Sequence, residues 1–205
     1  MPLQTVILAS GNPGKLREFA ALLADLDVNV VPQSEYHVSA AEETGFTFVE
    51  NALIKARHAA LASGLPALSD DSGIAVDALN GAPGIYSARY AGANASDLDN
   101  LNKLIKVVRQ LPAHQRSARY HCVIAFMQHA EDPMPVIASG TWEGRLIEEP
   151  RGEGGFGYDP IFYLDDYQCT AAELDPADKN RLSHRGQALR GLLSQLTAEL
   201  HHGYG

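Results

Sequence analysis

Apolar residues recur every three or four positions in four segments of the chain, a spacing that predicts amphipathic helices. The segments are residues 15–26, 47–63, 96–111 and 184–201. Ser96 opens the third segment and is a suitable N-cap, because its hydroxyl can accept a hydrogen bond from an N–H of the first turn. These helices supply the apolar faces that an α/β fold packs against a sheet.

Shorter apolar or alternating runs lie between these helices and predict β-strands. The runs are residues 4–9, 28–31, 66–68, 74–79, 119–129, 136–147 and 161–164. Only residues 130–135 separate the two long runs, which predicts an antiparallel pair. Glycine and proline concentrate in residues 80–94 and 149–160, which we expect to be loops. The order of elements predicts one α/β domain over residues 1–205.

The charge balance narrows the choice of ligand. The 205 residues carry a formal net charge of −9, which argues against nonspecific DNA or RNA binding, because such binding needs a basic surface. No apolar run approaches the roughly 20 residues that span a bilayer. Residues 1–4 begin no export signal and two cysteines form no disulfide framework, so we expect a cytoplasmic protein. An acidic protein can still bind a small polyanion through clustered cations or a divalent metal.

A candidate anion site directly follows the first predicted strand. It consists of Ser10, Gly11, Asn12, Pro13, Gly14 and Lys15. The small residues let backbone N–H groups approach an anion, while the helix N-terminus and Lys15 add positive charge. The segment is not a Walker A loop, since its glycine spacing is too short and Leu16 stands where that loop has Ser or Thr. A plain strand-to-helix turn is the alternative interpretation.

A pair of adjacent carboxylates, Asp70 and Asp71, follows the apolar run 66–68. Carboxylates at a strand end can hold Mg²⁺ and orient a water molecule. Gly73 comes two residues later, and we expect the backbone to turn there. Because Asp, Ser and Gly are also common turn residues, an ordinary turn is the alternative.

Three further segments contain candidate ligand-binding groups. Glu42 and Glu43 precede the second predicted helix, where acidic residues commonly just complement the helix dipole. Asn51 and Lys55 lie one turn apart and therefore share a face of that helix. Phe156 lies among glycines, which suits an aromatic ring that stacks flat on a base but also suits a plain hairpin loop.

His184 and Arg185 open the last predicted helix, where cations oppose the helix dipole. That unfavourable placement indicates a partner outside the helix, such as an anion or a base carbonyl. A purely structural histidine is the alternative.

Together these segments resemble the inosine/xanthosine triphosphate pyrophosphatase family. The matching motifs are Ser10-x-Asn12-x-x-Lys15, Glu43-Thr44-Gly45-x-Thr47-Phe48-x-Glu50-Asn51-Ala52, Asp70-Asp71-Ser72-Gly73-x-x-Val76-Asp77-Ala78-Leu79, Gly81-x-Pro83-Gly84-x-Tyr86-Ser87-Ala88-Arg89-Tyr90, Gly154-Gly155-Phe156-Gly157-Tyr158-Asp159-Pro160 and Ser183-His184-Arg185-Gly186. They cover nearly the whole chain in the family's order. Ser10 departs from the Thr of many relatives but keeps the hydroxyl.

The resemblance implies an elongated α/β fold, with a mixed sheet flanked by helices and two lobes around a central substrate cleft. It implies hydrolysis of the deaminated purine nucleotides ITP, dITP and XTP to the monophosphate and pyrophosphate. It also implies Mg²⁺, one or more per subunit, and a cytoplasmic homodimer with no nucleic-acid or membrane partner.

The resemblance further implies roles for individual residues. Asp71 would be the general base and would hold the metal together with Glu42, with Glu43 as the alternative ligand. Ser72 would touch the substrate, and Lys55 and Lys179 would join residues 10–15 at the triphosphate. The residues at the base would be Phe156, Gly157, Tyr158, Asp159, His184 and Arg185.

The residue types suffice for water attack on the α-phosphorus, which needs a proton acceptor and neutralised phosphate oxygens. Arg185 can only donate hydrogen bonds, so it would pair with the C6 carbonyl of inosine and would not pair with the C6 amino group of adenosine. GTP shares that carbonyl, and no residue explains its rejection. The alternatives are a related pyrophosphatase for other modified nucleotides, or a nucleotide-sensing module that binds purines without turnover.

Overall fold

The structure, a computed structural model, describes residues 4–23 and 28–202. Its strands are β1 (Gln4–Leu8), β2 (Val28–Pro32), β3 (Ala67–Val76), β4 (Ser117–Met127), β5 (Val136–Leu146), β6 (Phe162–Leu164) and β7 (Cys169–Thr170). Its α-helices are α1 (Pro13–Leu23), α2 (Phe48–Ser63), α3 (Asp97–Val108), α4 (Pro176–Leu182) and α5 (His184–His202). The export-signal expectation rests partly on residues 1–3, and the first predicted helix extended over 24–26. Both stretches lie outside the described residues.

The strands form a seven-stranded sheet in the order β2-β1-β3-β4-β5-β6-β7. β1 pairs in parallel with β2 and β3, whereas β6 pairs antiparallel with β5 and β7. The predicted mixed α/β sheet flanked by helices is therefore confirmed. Leu8 lies opposite Leu68 in the β1–β3 pair, so residues 10–15 leave β1 beside the point where β3 reaches Asp70.

The chain divides into two compact units, each with its own core. The first contains the chain up to Asp71, Cys122–Gly140 and the chain from Gly186, and the second contains Ser72–His121 and Thr141–Arg185. Buried side chains of the first core include Phe19, Leu68, Ile124, Leu189 and Leu192. Buried side chains of the second include Ile74, Leu104, Trp142, Ile161 and Phe162.

The two central helices begin where their sequences predict. The Thr47 hydroxyl accepts a hydrogen bond from the Glu50 N–H at the start of α2, and Gly64 ends this helix with a φ of 69°. Ser96 and Asp99 form a reciprocal capping box at the start of α3. These caps satisfy N–H groups that have no partner within the helix, which explains why both starts could be predicted from local sequence.

The predicted turn at Gly73 is wrong, because β3 continues through Asp70, Asp71, Ser72 and Gly73 to Val76. A Cβ atom at Gly73 would lie 2.3 Å from the Gly84 carbonyl oxygen and 2.6 Å from the Ser87 hydroxyl oxygen. The glycine is therefore needed for close approach of another segment. The carboxylates of Asp70 and Asp71 therefore lie within a long strand and not at its end.

Other differences concern short elements. The predicted loop 80–94 contains a 3-10 helix, Gly84–Arg89, and the predicted strand 161–164 begins one residue later after the 3-10 helix Asp159–Ile161. Strand β7 and helix α4 were not predicted, since both are too short to show clear periodicity. Within the described ranges, no helix has the length and apolar character needed to cross a membrane.

Candidate active site

The segment that follows β1 forms a helix cap. The Asn12 side-chain oxygen accepts hydrogen bonds from the N–H groups of Gly14 (2.8 Å) and Lys15 (3.2 Å), and the Asn12 N–H donates to the Ser10 hydroxyl. Pro13 occupies the first helical position, where its missing N–H costs nothing. Two of the N–H groups expected to be open to an anion are thus already satisfied by Asn12, while Gly11 is exposed.

Lys15 extends from the first turn of α1 to β3. Its ammonium lies 2.9 Å from a carboxylate oxygen of Asp70, whose side chain is fully buried. Burying a carboxylate is costly unless a cation faces it. Asp70 thereby holds Lys15 at the end of the Ser10–Lys15 segment.

Asp71 and Glu43 converge on one cation, the ammonium of Lys55. The Lys55 nitrogen lies 2.7 Å from a carboxylate oxygen of Asp71 and 2.8 Å from one of Glu43. Burial raises the pKa of Asp71, while the Lys55 charge opposes that rise. Burial lowers the pKa of Lys55, but the surrounding carboxylates, Asp71 first among them, raise it above its ordinary value. We call Lys15, Glu43, Lys55, Asp70 and Asp71 the carboxylate cluster.

The structure distinguishes the two adjacent glutamates. Glu43 is half-buried and pairs with Lys55, whereas Glu42 is exposed. Glu43 is therefore the glutamate that shares Lys55 with Asp71, while the assignment of Glu42 as a metal ligand, with Glu43 as the alternative, stays a prediction. Sequence could not separate the two, because only the packing of this segment against α2 decides which side chain points inward.

Asp159 organises a second group of residues, within the second unit. This buried carboxylate accepts hydrogen bonds from the Lys179 ammonium (2.7 Å), the Phe156 N–H (2.9 Å) and the Tyr120 hydroxyl (3.2 Å). It therefore fixes the backbone of Phe156, and Gly157 follows with a φ of 63°. Asp159 was expected to shape the base pocket; in the structure its carboxylate oxygens are used by these three partners.

Aromatic rings surround His184. Its ring stacks on Tyr120 with centres 4.6 Å apart and an interplanar angle of 7°, and Trp142 lies 6.5 Å away at 20°. His184 is 7% exposed, so most of its surface is already covered. Burial raises the pKa of Tyr120 far above its ordinary value, so its hydroxyl stays protonated as a donor.

Arg185 is 3% exposed and connects β3 to the aromatic residues. Its guanidinium donates to the Ser72 hydroxyl at 3.1 Å and lies 5.6 Å from the centre of the Phe156 ring. Lys179 lies 4.8 Å from the same ring centre. Lys179, expected at the triphosphate, thus packs with Phe156. We call Tyr120, Phe156, Asp159, Lys179, His184 and Arg185 the aromatic cluster.

Tyr158 is a buried anchor of this cluster. Its hydroxyl donates to the Ser87 carbonyl oxygen at 2.7 Å, and burial raises its pKa. The Ser87 hydroxyl accepts a hydrogen bond from the Ile74 N–H and donates to the Gly84 carbonyl. The loop that carries Phe156 is therefore tied to β3 through Ser87.

The sequence-predicted residues thus fall into two groups. Lys15, Lys55 and Asp71 lie in the carboxylate cluster, whereas the aromatic cluster contains Phe156, Asp159, Lys179, His184 and Arg185. Ser72 contacts the aromatic cluster by accepting a hydrogen bond from Arg185. Sequence reasoning missed Tyr120 and the partnership of Asp70 with Lys15. Tyr120 has no local motif, and only its inward position in an alternating strand could have pointed to it.

Comparisons with known proteins show the family. The Ham1 family model matches residues 6–195. The chain belongs to the Ham1 family. It is similar to a protein of Pectobacterium atrosepticum named dITP/XTP pyrophosphatase, with 59% identity over 95% of this chain and 98% of that protein. A protein of the same name from Vibrio cholerae is 56% identical over 95% of this chain and 97% of its own length.

Solved structures of the family confirm the fold. A HAM1 protein from Coxiella burnetii superposes with a TM-score of 0.89 and 54% identity, over 96% of this chain and all of that one. The Ham1 protein of Staphylococcus aureus gives a TM-score of 0.84 with 40% identity, over 96% of this chain and all of that one.

Proposed function

We propose that this chain is a nucleoside triphosphate pyrophosphatase that hydrolyses ITP, dITP and XTP to the nucleoside monophosphate and pyrophosphate. The observation that carries the proposal is the pair of carboxylates, Asp71 and Glu43, that converge on one buried cation in a chain whose relatives bear the name dITP/XTP pyrophosphatase. A module that only senses nucleotides would gain little from such a pair. The proposed catalytic domain comprises residues 1–205.

The carboxylate cluster serves the triphosphate. Lys15 and Lys55 are the cations that face phosphate oxygens, and the hydroxyl of Ser10 and the side chain of Asn12 provide further hydrogen bonds. Because Asn12 caps α1, the anion binds through side chains and the helix N-terminus more than through free N–H groups. This assignment keeps residues 10–15 as the phosphate-binding segment.

The donor set fits Mg²⁺. Magnesium commonly binds one or two carboxylates together with substrate phosphates. Asp71 and Glu43 offer two carboxylates around a single positive charge, which is an electrostatic setting that favours a cation. Asp71 and Glu42, whose exposed carboxylate adjoins Glu43 in the chain, would hold the metal, with Glu43 as the alternative ligand. When bound, Mg²⁺ neutralises phosphate oxygens and lowers the pKa of a coordinated water.

Asp71 is the general base. Its side chain is 9% exposed, so little bulk water competes for its oxygens. Burial raises its pKa, which makes the carboxylate a better proton acceptor than an exposed aspartate. Lys55 keeps the group oriented through its 2.7 Å contact and is available to a phosphate oxygen. Attack of the oriented water on the α-phosphorus then releases pyrophosphate.

The aromatic cluster serves the base. Phe156 stacks on the purine ring, and Arg185 donates to the carbonyl at C6 that ITP and XTP share. The amino group that ATP carries at C6 is also a donor, so it could not accept a hydrogen bond from Arg185. Sites built around such a hydrogen bond can discriminate by ~10⁴-fold. Lys179 and His184 hold Phe156 and the surrounding rings in place.

A substrate panel tests the proposed function. ITP, dITP, XTP, GTP and ATP are incubated with the chain and Mg²⁺, and orthophosphate is measured with and without added inorganic pyrophosphatase. We expect orthophosphate from ITP, dITP and XTP only when the pyrophosphatase is present. Direct release of orthophosphate would contradict the reaction. A methylated and a modified pyrimidine nucleoside triphosphate complete the panel, and preference for either would favour the related pyrophosphatase.

Assembly and location are part of the proposal and rest on family likeness. We propose a homodimer in the cytoplasm, with a nucleotide as its ligand. Sedimentation at equilibrium decides the first point, since a single species of monomer mass would refute the dimer.

A further inference from the structure

Asn51 lies in α2 and is fully buried. Its side-chain oxygen accepts a hydrogen bond from the Gly45 N–H at 2.8 Å. Its side-chain N–H₂ group donates to a carboxylate oxygen of Asp71 at 3.4 Å, a long hydrogen bond. One side chain therefore connects the proposed general base to the segment that contains Glu43.

Lys55, one helical turn later, makes the equivalent pair of connections. It contacts the other carboxylate oxygen of Asp71 and also Glu43. Each carboxylate oxygen of Asp71 thus accepts a hydrogen bond from a side chain of α2. The same two side chains, Asn51 and Lys55, also bind the 43–45 segment. The repeat arises because residues four apart in a helix share a face.

The 43–45 segment fits closely against Asn51. A Cβ atom at Gly45 would lie 2.8 Å from the Asn51 side-chain oxygen and 2.5 Å from Cβ of Glu50. The Glu50 carboxylate accepts from the Phe46 N–H and the Thr47 hydroxyl, each at 2.9 Å. Only glycine at position 45 allows the backbone to come this close to α2. The close approach brings the Gly45 N–H within hydrogen-bond distance of the Asn51 side chain.

We propose that Asn51 is a positioning residue for hydrolysis, which sets the orientation of Asp71 and holds the 43–45 segment so that Glu43 faces it. The proposal rests on the proposed function. Asn51 itself touches neither the water nor the nucleotide. Its loss therefore lowers kcat and leaves KM for ITP nearly unchanged, because it acts on the reacting group and not on substrate binding.

Two substitutions separate the roles of Asn51. Asn51→Ala removes both hydrogen bonds. Asn51→Asp keeps an acceptor for the Gly45 N–H but replaces the donor to Asp71 by a second negative charge. A matched control is Asn100→Ala, since Asn100 is also buried in a helix and binds a loop, through the Ala91 N–H and the Ala88 carbonyl. Asn100 lies in the second unit.

The measurements are kcat and KM for ITP, together with amide hydrogen exchange of a peptide covering residues 43–47. We expect kcat to fall about 10²-fold in Asn51→Ala and Asn51→Asp, as for other small displacements of a reacting group. Exchange over 43–47 rises in Asn51→Ala, stays near wild type in Asn51→Asp, and is unchanged in Asn100→Ala, which also keeps its kcat.

A kcat in Asn51→Ala within twofold of wild type, or unchanged exchange over 43–47, would overturn the proposal. A kcat loss in Asn100→Ala as large as in Asn51→Ala would also overturn it, since any buried asparagine would then have the same effect. A wild-type chain that cleaves no ITP refutes the proposed function instead. The exchange of residues 43–47 then still decides whether Asn51 anchors the segment.

Discussion

The carboxylate cluster and the aromatic cluster balance charge in opposite ways. The first sets the carboxylates of Glu43, Asp70 and Asp71 against two ammonium groups, whereas the second sets the single carboxylate of Asp159 against an ammonium and a guanidinium. A surplus of negative charge suits a divalent cation. A surplus of positive charge beside aromatic rings suits a flat base with carbonyl oxygens.

The two clusters also differ in how they hold their cations. In the carboxylate cluster, lysines on α1 and α2 reach carboxylates on β3, and under the proposed function their remaining N–H donors serve phosphate oxygens. In the aromatic cluster, Arg185 and Lys179 lie against the Phe156 ring, and Asp159 fixes the backbone beneath it. The first cluster is therefore suited to chemistry and the second to recognition.

Removal of the proposed base gives the largest expected effect. Asp71→Asn keeps the shape of the side chain but removes its proton acceptor, so we expect kcat for ITP to fall by about 10²–10⁴-fold. Asp77→Asn is the matched control, because Asp77 is half-exposed and pairs with Arg119 on the surface. Steady-state kinetics of both variants test this. Full activity in Asp71→Asn would remove the base assignment.

Removal of the Lys15–Asp70 ion pair tests how much this contact in the carboxylate cluster stabilises the protein. Lys15→Met removes the ammonium that faces the fully buried Asp70 carboxylate, which we expect to lower the free energy of unfolding by about 3–5 kcal/mol. Lys106→Met, at an exposed lysine, should change it by less than about 0.5 kcal/mol. Urea denaturation measures both. Equal stability of the two variants would show that Lys15 does not stabilise Asp70.

The Phe156 ring tests the aromatic cluster. Phe156→Ala should raise KM for ITP by about 5- to 150-fold, corresponding to a stacking contribution of about 1–3 kcal/mol, with a smaller change in kcat. Tyr36→Ala, at an exposed ring outside both clusters, is the control. A loss confined to kcat would show that Phe156 contributes to the chemical step and not to substrate binding, which would contradict the proposed separation of roles between the two clusters.

Tyr158 gives the smallest expected effect. Tyr158→Phe removes the hydrogen bond to the Ser87 carbonyl and should lower the free energy of unfolding by about 1 kcal/mol. Thermal or urea unfolding measures the change, with Tyr36→Phe as control. Unchanged stability with a raised KM would instead place the Tyr158 hydroxyl on the substrate.

Sequence predicted the regular elements well, because their determinants are local. The cap at Ser96 and the apolar spacing in α3 lie within a few residues of what they control. The prediction of a turn at Gly73 was wrong because a glycine can mark either a turn or a close approach between segments. Only the position of residues 84–87, distant in the sequence, shows that Gly73 allows a close approach.

The site could be predicted in its residue types but not in its partnerships. The motifs pointed to Asp71, Lys55, Phe156 and Arg185, yet nothing local distinguishes Glu43 from Glu42. Packing of the segment against α2 decides which of the two glutamates pairs with Lys55. Likewise, the N–H groups after Ser10 looked open to an anion, whereas the Asn12 side chain folds back onto them.

Isotope labelling of the products tests the central claim most directly. The wild-type chain hydrolyses ITP with Mg²⁺ in water enriched in ¹⁸O, and mass spectrometry locates the label. Water attack on the α-phosphorus predicts one ¹⁸O atom in the monophosphate and none in the pyrophosphate. Label in the pyrophosphate, or in released orthophosphate, would contradict the account.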